Sequence, residues 1–292
     1  MTEVVYLNGK LMPASEARVS PFDYGFLLGF GLFETMRAYN GHVFRLDRHL
    51  ARLMMSAEAL GIASRLGNFD LAEACYQVLE ANGLGDARIR LTISAGEGDI
   101  VPNLDTCYGV TVFIVARKLE PLAEAVYERG YRVALSTIRR NSRSPISQHK
   151  STSWLENVLA RSAARAAGAD DALLLNERGM VAECSASNIF VVQNGVLRTP
   201  TTESGALPGV TREVVLELAE AMGLGCAITD IELGELLRAD EAFVTSSIIE
   251  VMPLTQVDGR NIGDGNPGPM TKRLMAAYRE LVKRESGARG GG

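Results

Sequence analysis

Three dipeptides punctuate this chain: Asn8-Gly9, Asn194-Gly195 and Asp258-Gly259. Each stands at the end of a run that reads as a strand. Asn-Gly and Asp-Gly suit a two-residue hairpin turn because both central positions need positive φ. Three such turns commit the chain to antiparallel strand pairs near its start, past its middle and near its end. Helical patterns fill much of the sequence between them.

Residues 4–7 and 10–12 form the first expected strand pair. Residues 23–39 carry Gly25, Gly29 and Gly31 among apolar side chains, which permits close backbone approach. Gly41 turns the chain into a short strand at 43–45. Residues 46–62 read as an amphipathic helix, with Leu46, Leu50, Leu53, Met54, Ala57 and Leu60 on one face. Asp47 is its expected N-cap and Gly61 its stop. A second helix spans 69–82, capped by Asp70. Residues 88–94 alternate as a strand, with Arg88 and Arg90 on one face, and 110–116 form another.

The fold class is therefore α/β in the α+β sense, with two domains expected. A small domain covers 1–117, and 118–130, with Pro121, read as a linker. A larger domain covers 131–285. Its strands fall at 131–138, 172–175, 189–192, 196–198, 226–230, 241–246 and 250–257. Its helices run from Lys150 to Gly168 and over 210–223, 232–238 and 269–284, the last turning Leu274, Ala277, Tyr278 and Leu281 inward. Residues 286–292 read as a disordered tail.

Composition narrows the function classes. Of the 292 residues, 47% are hydrophobic, enough for a core. A net charge of −5 leaves no basic footprint for nucleic acid. No long apolar run or signal segment appears, so neither a membrane span nor export is expected. The four cysteines are widely spaced and read as free thiols in a reducing cytoplasm. Three histidines argue against a histidine-rich metal site.

Lys150 precedes a helical pattern in which Trp154, Leu155, Val158 and Leu159 share an apolar face, with Ser151 or Ser153 as N-cap. That reads as a lysine held on an anchored loop, suited to nucleophilic work. Four features fit one ligand, pyridoxal phosphate. Lys150 offers the Schiff-base amine. Glu183, in VAECSASNIF, offers a carboxylate for the pyridine nitrogen. Leu207-Pro208-Gly209-Val210-Thr211-Arg212 opens a helix whose N–H groups suit a phosphate. Ser246-Ser247 ends a strand with further donors, and Arg52 adds a guanidinium. Each feature also has an ordinary reading. Glu183 fits a turn carboxylate, Pro208-Gly209 a helix entrance, Ser246-Ser247 a plain strand end, Arg52 a snorkelling side chain, and Arg88 with Arg90 an exposed strand face.

Six motifs in this order resemble the class IV aminotransferases, pyridoxal-phosphate enzymes of fold type IV: GLFETMRAY, FRLDRHLARL, HKSTSWLENVLAR, ECSASNIF, LPGVTREVV and EAFVTSS. The family includes branched-chain and D-amino acid aminotransferases, (R)-amine transaminases and aminodeoxychorismate lyases. The resemblance implies that Lys150 is the Schiff-base lysine and Glu183 the partner of the pyridine nitrogen. It implies that Arg52, Val210, Thr211, Ser246 and Ser247 hold the phosphate and that Leu207 packs on the ring. It assigns substrate contacts to Phe33, Arg37, Arg90, Ser247 and Ile248. Arg90 falls where branched-chain members place an arginine for the dicarboxylate partner. Ala95-Gly96-Glu97-Gly98 lacks the arginine–histidine pair of the D-amino acid members, Phe30 replaces a frequent aspartate, and Thr35 replaces a glycine. The implied fold is a small α/β domain, a linker and a larger pseudo-barrel domain. The implied assembly is a homodimer acting on an amino donor and a 2-oxo acid such as 2-oxoglutarate. Pyruvate elimination by a lyase, D-amino acid or (R)-amine transamination, and a non-catalytic binding protein on the same fold are the alternatives.

Overall fold

The structure, a computed structural model, describes residues 3–287. The chain divides into two compact units. Of the described residues, the first comprises 3–120, 149–153 and 282–287; the second comprises 121–148 and 154–281.

The first unit holds β1 (Val4–Leu7), β2 (Lys10–Pro13), α1 (Tyr24–Leu28), β3 (Gly31–Tyr39), β4 (His42–Val43), α2 (Leu46–Ala59), α3 (Leu71–Ala81), β5 (Ala87–Ser94) and β6 (Thr111–Lys118). Its strands form one antiparallel sheet in the order β2-β1-β6-β5-β3-β4. Alternation places Leu32, Met36 and Ala38 of β3 with Ile89, Leu91 and Ile93 of β5 in the core, where Leu53 and Ala57 of α2 meet them. The glycine-rich stretch is thus mostly strand, which its glycines concealed. The expected close approach is real at Gly31, where a Cβ would lie 2.6 Å from the Ile93 carbonyl oxygen.

Two helix starts were expected on aspartates, and they turn out differently. Asp47 does not cap α2; the N-cap is Arg45, in the left-handed region at φ 52°, and Asp47 lies in the first turn. There it still complements the helix dipole. Asp70 does cap α3, accepting from the Glu73 N–H.

The second unit holds α4 (Glu124–Arg129), β7 (Tyr131–Leu135), α5 (Leu155–Ala166), β8 (Asp171–Leu175), β9 (Val181–Cys184), β10 (Asn188–Gln193), β11 (Val196–Thr199), α6 (Val210–Ala221), β12 (Cys226–Ile228), α7 (Leu233–Leu236), β13 (Glu241–Ser246), β14 (Glu250–Val257) and β15 (Arg260–Asn261). A final helix, α8 (Pro269–Gly287), runs past the expected tail boundary; residues 288–292 of that tail lie outside the described residues. The stretch read as a linker contains α4, whose Tyr127 is buried. The sheet runs β12-β11-β10-β13-β14-β7-β8-β9, with β15 paired to β14, and curls into a half-barrel. Three of its joins are parallel: β11 with β12, β14 with β7, and β7 with β8. Parallel neighbours need long crossovers, and α5 and α6 lie in two of them.

All three hairpin signals sit in turns. Asn8, Gly9, Asn194, Gly195, Asp258 and Gly259 have φ between 47° and 91°. They join β1 to β2, β10 to β11, and β14 to β15. Among the described residues, no helix is long and apolar enough to cross a membrane.

Candidate active site

Lys150 belongs to a short segment, residues 149–153, that is part of the first unit although the stretches on either side of it, 121–148 and 154–281, belong to the second. Residues 150–152 pair with the start of β3. The Phe33 N–H donates to the Lys150 carbonyl, the Thr152 N–H donates to the Gly31 carbonyl, and Ser151 bridges Leu32. This pairing, and not the helix that follows, holds the lysine. The expected caps are absent: Trp154 is the N-cap of α5, without a side-chain bond, and neither Ser151 nor Ser153 serves. The expected buried face is also wrong. Leu155, Val158 and Leu159 are exposed, and α5 buries Asn157, Ala160 and Ala164 instead. Small side chains let the helix approach β8 closely, a criterion that apolar spacing misses.

Beside Lys150 stands Phe33, on the outward face of β3. The Lys150 Nζ lies 4.7 Å from the Phe33 ring centroid, and the Arg90 guanidinium carbon lies 3.5 Å from it. Arg90 also donates through Nε to the Thr92 hydroxyl. Arg37, on the same face, stacks over Tyr39 at 4.4 Å. Arg88 and Arg90 do share a face, but Arg88 is exposed and Arg90 half-buried.

On the inward face of β3, Glu34 is fully buried. It accepts from Arg52 Nε at 2.8 Å, Arg52 Nη2 at 2.6 Å and His49 Nδ1 at 2.8 Å. Burial alone would push the Glu34 carboxyl up, but Arg52 and His49 outweigh it and hold it at about 2. Burial holds His49 below its ordinary value against the pull of Glu34, with Arg52 and Lys150 adding to the depression. Arg52, expected beside a phosphate, is thus anchored by a carboxylate that sequence reading left unassigned. Its signal was a charged residue at an inward strand position, visible only once β3 is recognised as a strand.

The second unit carries Glu183. It is no turn carboxylate: it sits on β9, with all four strand residues buried. Its Oε1 accepts from Arg140 Nη2 at 2.7 Å. Its Oε2 accepts from the Leu207 N–H at 3.0 Å and from Asn188 Nδ2 at 3.4 Å. Arg140 reaches Asn157 of α5 as well, and Asn188 Nδ2 donates to the Leu207 carbonyl. Neither Arg140 nor Asn188 was singled out in the sequence. Arg140 sits in an irregular polar loop that carries no periodic signal.

Val210 and Thr211 open α6 and are buried there; the N-cap is Gly209, with no side-chain cap. A Cβ on Gly209 would run into Asn188 Oδ1, so any side chain there requires Asn188 to move. Arg212 secures the helix start by donating to Thr199 Oγ1 and to the Pro200 carbonyl. Ser246 ends β13 and its hydroxyl accepts from the Ile249 N–H. Ser247 and Ile248 occupy the turn before β14, each half-buried. Thr245, opposite Asn188 in the register, buries a hydroxyl with no hydrogen-bond partner among the described residues.

Each unit carries groups that suit a part of pyridoxal phosphate. The first unit has a lysine amine beside an aromatic ring and an anchored arginine. The second has a carboxylate with both oxygens held, a helix start free of side-chain caps, and an unsatisfied buried hydroxyl. Among the described residues, no cluster of metal-ligating side chains occurs.

Comparison with known proteins concerns the chain as a whole. The model of the family described as "Amino-transferase class IV" matches residues 31–257. A putative branched-chain-amino-acid aminotransferase of Methanocaldococcus jannaschii is 38% identical over 278 residues, covering 95% of this chain and 96% of that protein. An aminodeoxychorismate lyase of Bacillus subtilis is 35% identical, covering 99% and 98%. The solved branched-chain amino acid aminotransferase of Thermobaculum terrenum, in its PLP form, superposes with a TM-score of 0.84 at 29% identity, covering 97% of this chain and 95% of that one.

Proposed function

The chain belongs to the class IV aminotransferases, pyridoxal-phosphate-dependent transferases, and from that premise we propose that it moves an amino group between a branched-chain-like amino acid and 2-oxoglutarate. Bound pyridoxal phosphate supplies an aldehyde that condenses with amines and a ring that draws electrons from the substrate carbon. The residues supply the rest. Lys150 Nζ would hold the cofactor, and its amine is the group placed to take and return a proton as general base and acid. Glu183 keeps the pyridine nitrogen protonated; Arg140 and the Leu207 N–H fix the direction of its carboxylate. Leu207 would pack on the ring. The first turn of α6, with Val210 and Thr211, would take the phosphate together with Ser246 and Ser247, and Arg52 would add a guanidinium.

The stacking of Arg90 on Phe33 carries the substrate reading. One ring meets both the Arg90 guanidinium and the Lys150 amine. A substrate held there gains an apolar surface for an aliphatic side chain and a cation for a second carboxylate. Phe33, Arg37, Arg90, Ser247 and Ile248 are the proposed substrate contacts. Arg90→Ala is expected to raise the Michaelis constant for 2-oxoglutarate far more than that for pyruvate. The lost charge-assisted contact is worth about 1.5–3 kcal/mol. Steady-state kinetics with both acceptors checks this; equal effects, or none, remove Arg90 from the substrate site. The 35% identity to a lyase favours a second reading, pyruvate elimination. Pyruvate released from aminodeoxychorismate without any 2-oxo acid present would establish it.

We also propose a homodimer in the cytoplasm. The four cysteines, none in a disulfide, suit a reducing compartment. In the first unit, Phe22, Phe26 and Leu27 are exposed near Ile100, Val101 and Leu104, with Phe26 75% and Ile100 76% exposed. The bridge from Asp23 to Glu97 and the Tyr24 hydroxyl bond to the Asp99 carbonyl tie the two segments together. An apolar patch of this kind marks a protein interface. The double variant Phe26→Lys, Ile100→Lys is expected to shift a dimer to monomer in sedimentation velocity. A monomeric wild-type protein would sink the dimer.

A further inference from the structure

Glu34 faces the core from β3, between the buried residues Leu32 and Met36. A carboxylate removed from water is costly unless charged donors satisfy it. Arg52 and His49 do so from α2, three positions apart and therefore on one helix face. With His49 neutral, its Nδ1–H is the donor to Glu34 and the tautomer is set by that bond. If the only task were to tie α2 to β3, apolar side chains of similar volume would serve as well. The pair does something that apolar packing does not. Glu34 grips Arg52 through Nε and Nη2, two of the five N–H donors of a guanidinium. A planar fork held at two points cannot rotate, so the plane of the guanidinium is fixed by Glu34.

We propose that Glu34 is a positioning residue that orients Arg52 toward the phosphate of the cofactor. The proposal rests on the pyridoxal-phosphate reading of Arg52. Glu34 touches neither substrate nor cofactor; it acts through the guanidinium.

The test compares two probes that differ only in the phosphate. Full-length protein is stripped of cofactor and titrated with pyridoxal phosphate or with pyridoxal, and the visible absorbance of the lysine-bound ligand is followed. For Glu34→Gln, the dissociation constant for pyridoxal phosphate is expected to rise about tenfold or more, and that for pyridoxal to change less than about twofold. Arg52→Lys keeps the charge but lacks the fork. It should lose affinity for pyridoxal phosphate in the same selective way, and it carries the test alone if Glu34→Gln does not fold. Unchanged affinity of Glu34→Gln for pyridoxal phosphate overturns the proposal. So does an equal loss for both probes, which marks a merely structural role, and so does an Arg52→Lys protein that binds like wild type. A wild-type protein that takes up neither probe ends the cofactor reading itself, and the proposal with it.

Discussion

Lys150→Ala is expected to abolish the visible absorbance of lysine-bound cofactor and to lower turnover by several orders of magnitude. Two functions go with one amine: the covalent attachment and the proton shuttle. The fold should survive. The bonds that hold the 150–152 segment to β3 are main-chain bonds, and alanine keeps them. The contact of the Lys150 amine with the Phe33 ring, which alanine loses, is worth about 0.5–1 kcal/mol at a partly exposed site. Melting should therefore move little while activity collapses. Absorbance spectra, single-turnover kinetics and a thermal melt separate the two effects. Near-normal turnover in the variant would end the assignment of Lys150.

Glu183→Gln has the second-largest expected effect, and here stability and chemistry both change. The side chain keeps its shape and loses its charge. Proton transfer should slow by about a hundredfold or more, while cofactor still binds. The structure adds a cost. Both carboxylate oxygens accept from N–H donors, so the amide nitrogen of glutamine must face either Arg140 or the Leu207 N–H. One buried donor then lacks an acceptor, at about 1–3 kcal/mol. A lowered melting temperature with undiminished turnover in the surviving protein would leave Glu183 a structural role only. Turnover lost far beyond the loss of folded protein is the expected result.

The proposed site draws on short stretches of sequence. Lys150, Glu183 and the Gly209-Val210-Thr211 helix start stand in motifs whose spacing carries their chemistry, and the structure sets each on a loop, a strand and a helix N-terminus. The partners of those residues were not legible. Arg140 meets Glu183 across 43 residues, and Arg52 meets Glu34 across 18. The members of each pair lie in different elements, so no helix or strand periodicity points from one to the other. The misread caps have the same origin. A serine before an apolar pattern is a good local signal for a helix start, yet residues 150–152 are drawn into backbone pairing with β3. That pairing satisfies main-chain groups at once, and a side-chain cap satisfies one.

Local chemistry alone determined the three hairpins, because positive φ at both turn positions is a property of Asn, Asp and Gly themselves. It determined α3 as well, since an aspartate N-cap and an apolar face lie within a few turns of each other. Tertiary structure decided which face of α5 is buried, which residues anchor Lys150, and why a glutamate lies in the core of the first unit. Those outcomes depend on segments far apart in the chain that meet only after loops have closed and water has left. Burial then selects small side chains on α5 and requires charged donors around Glu34, whatever the local periodicity favours.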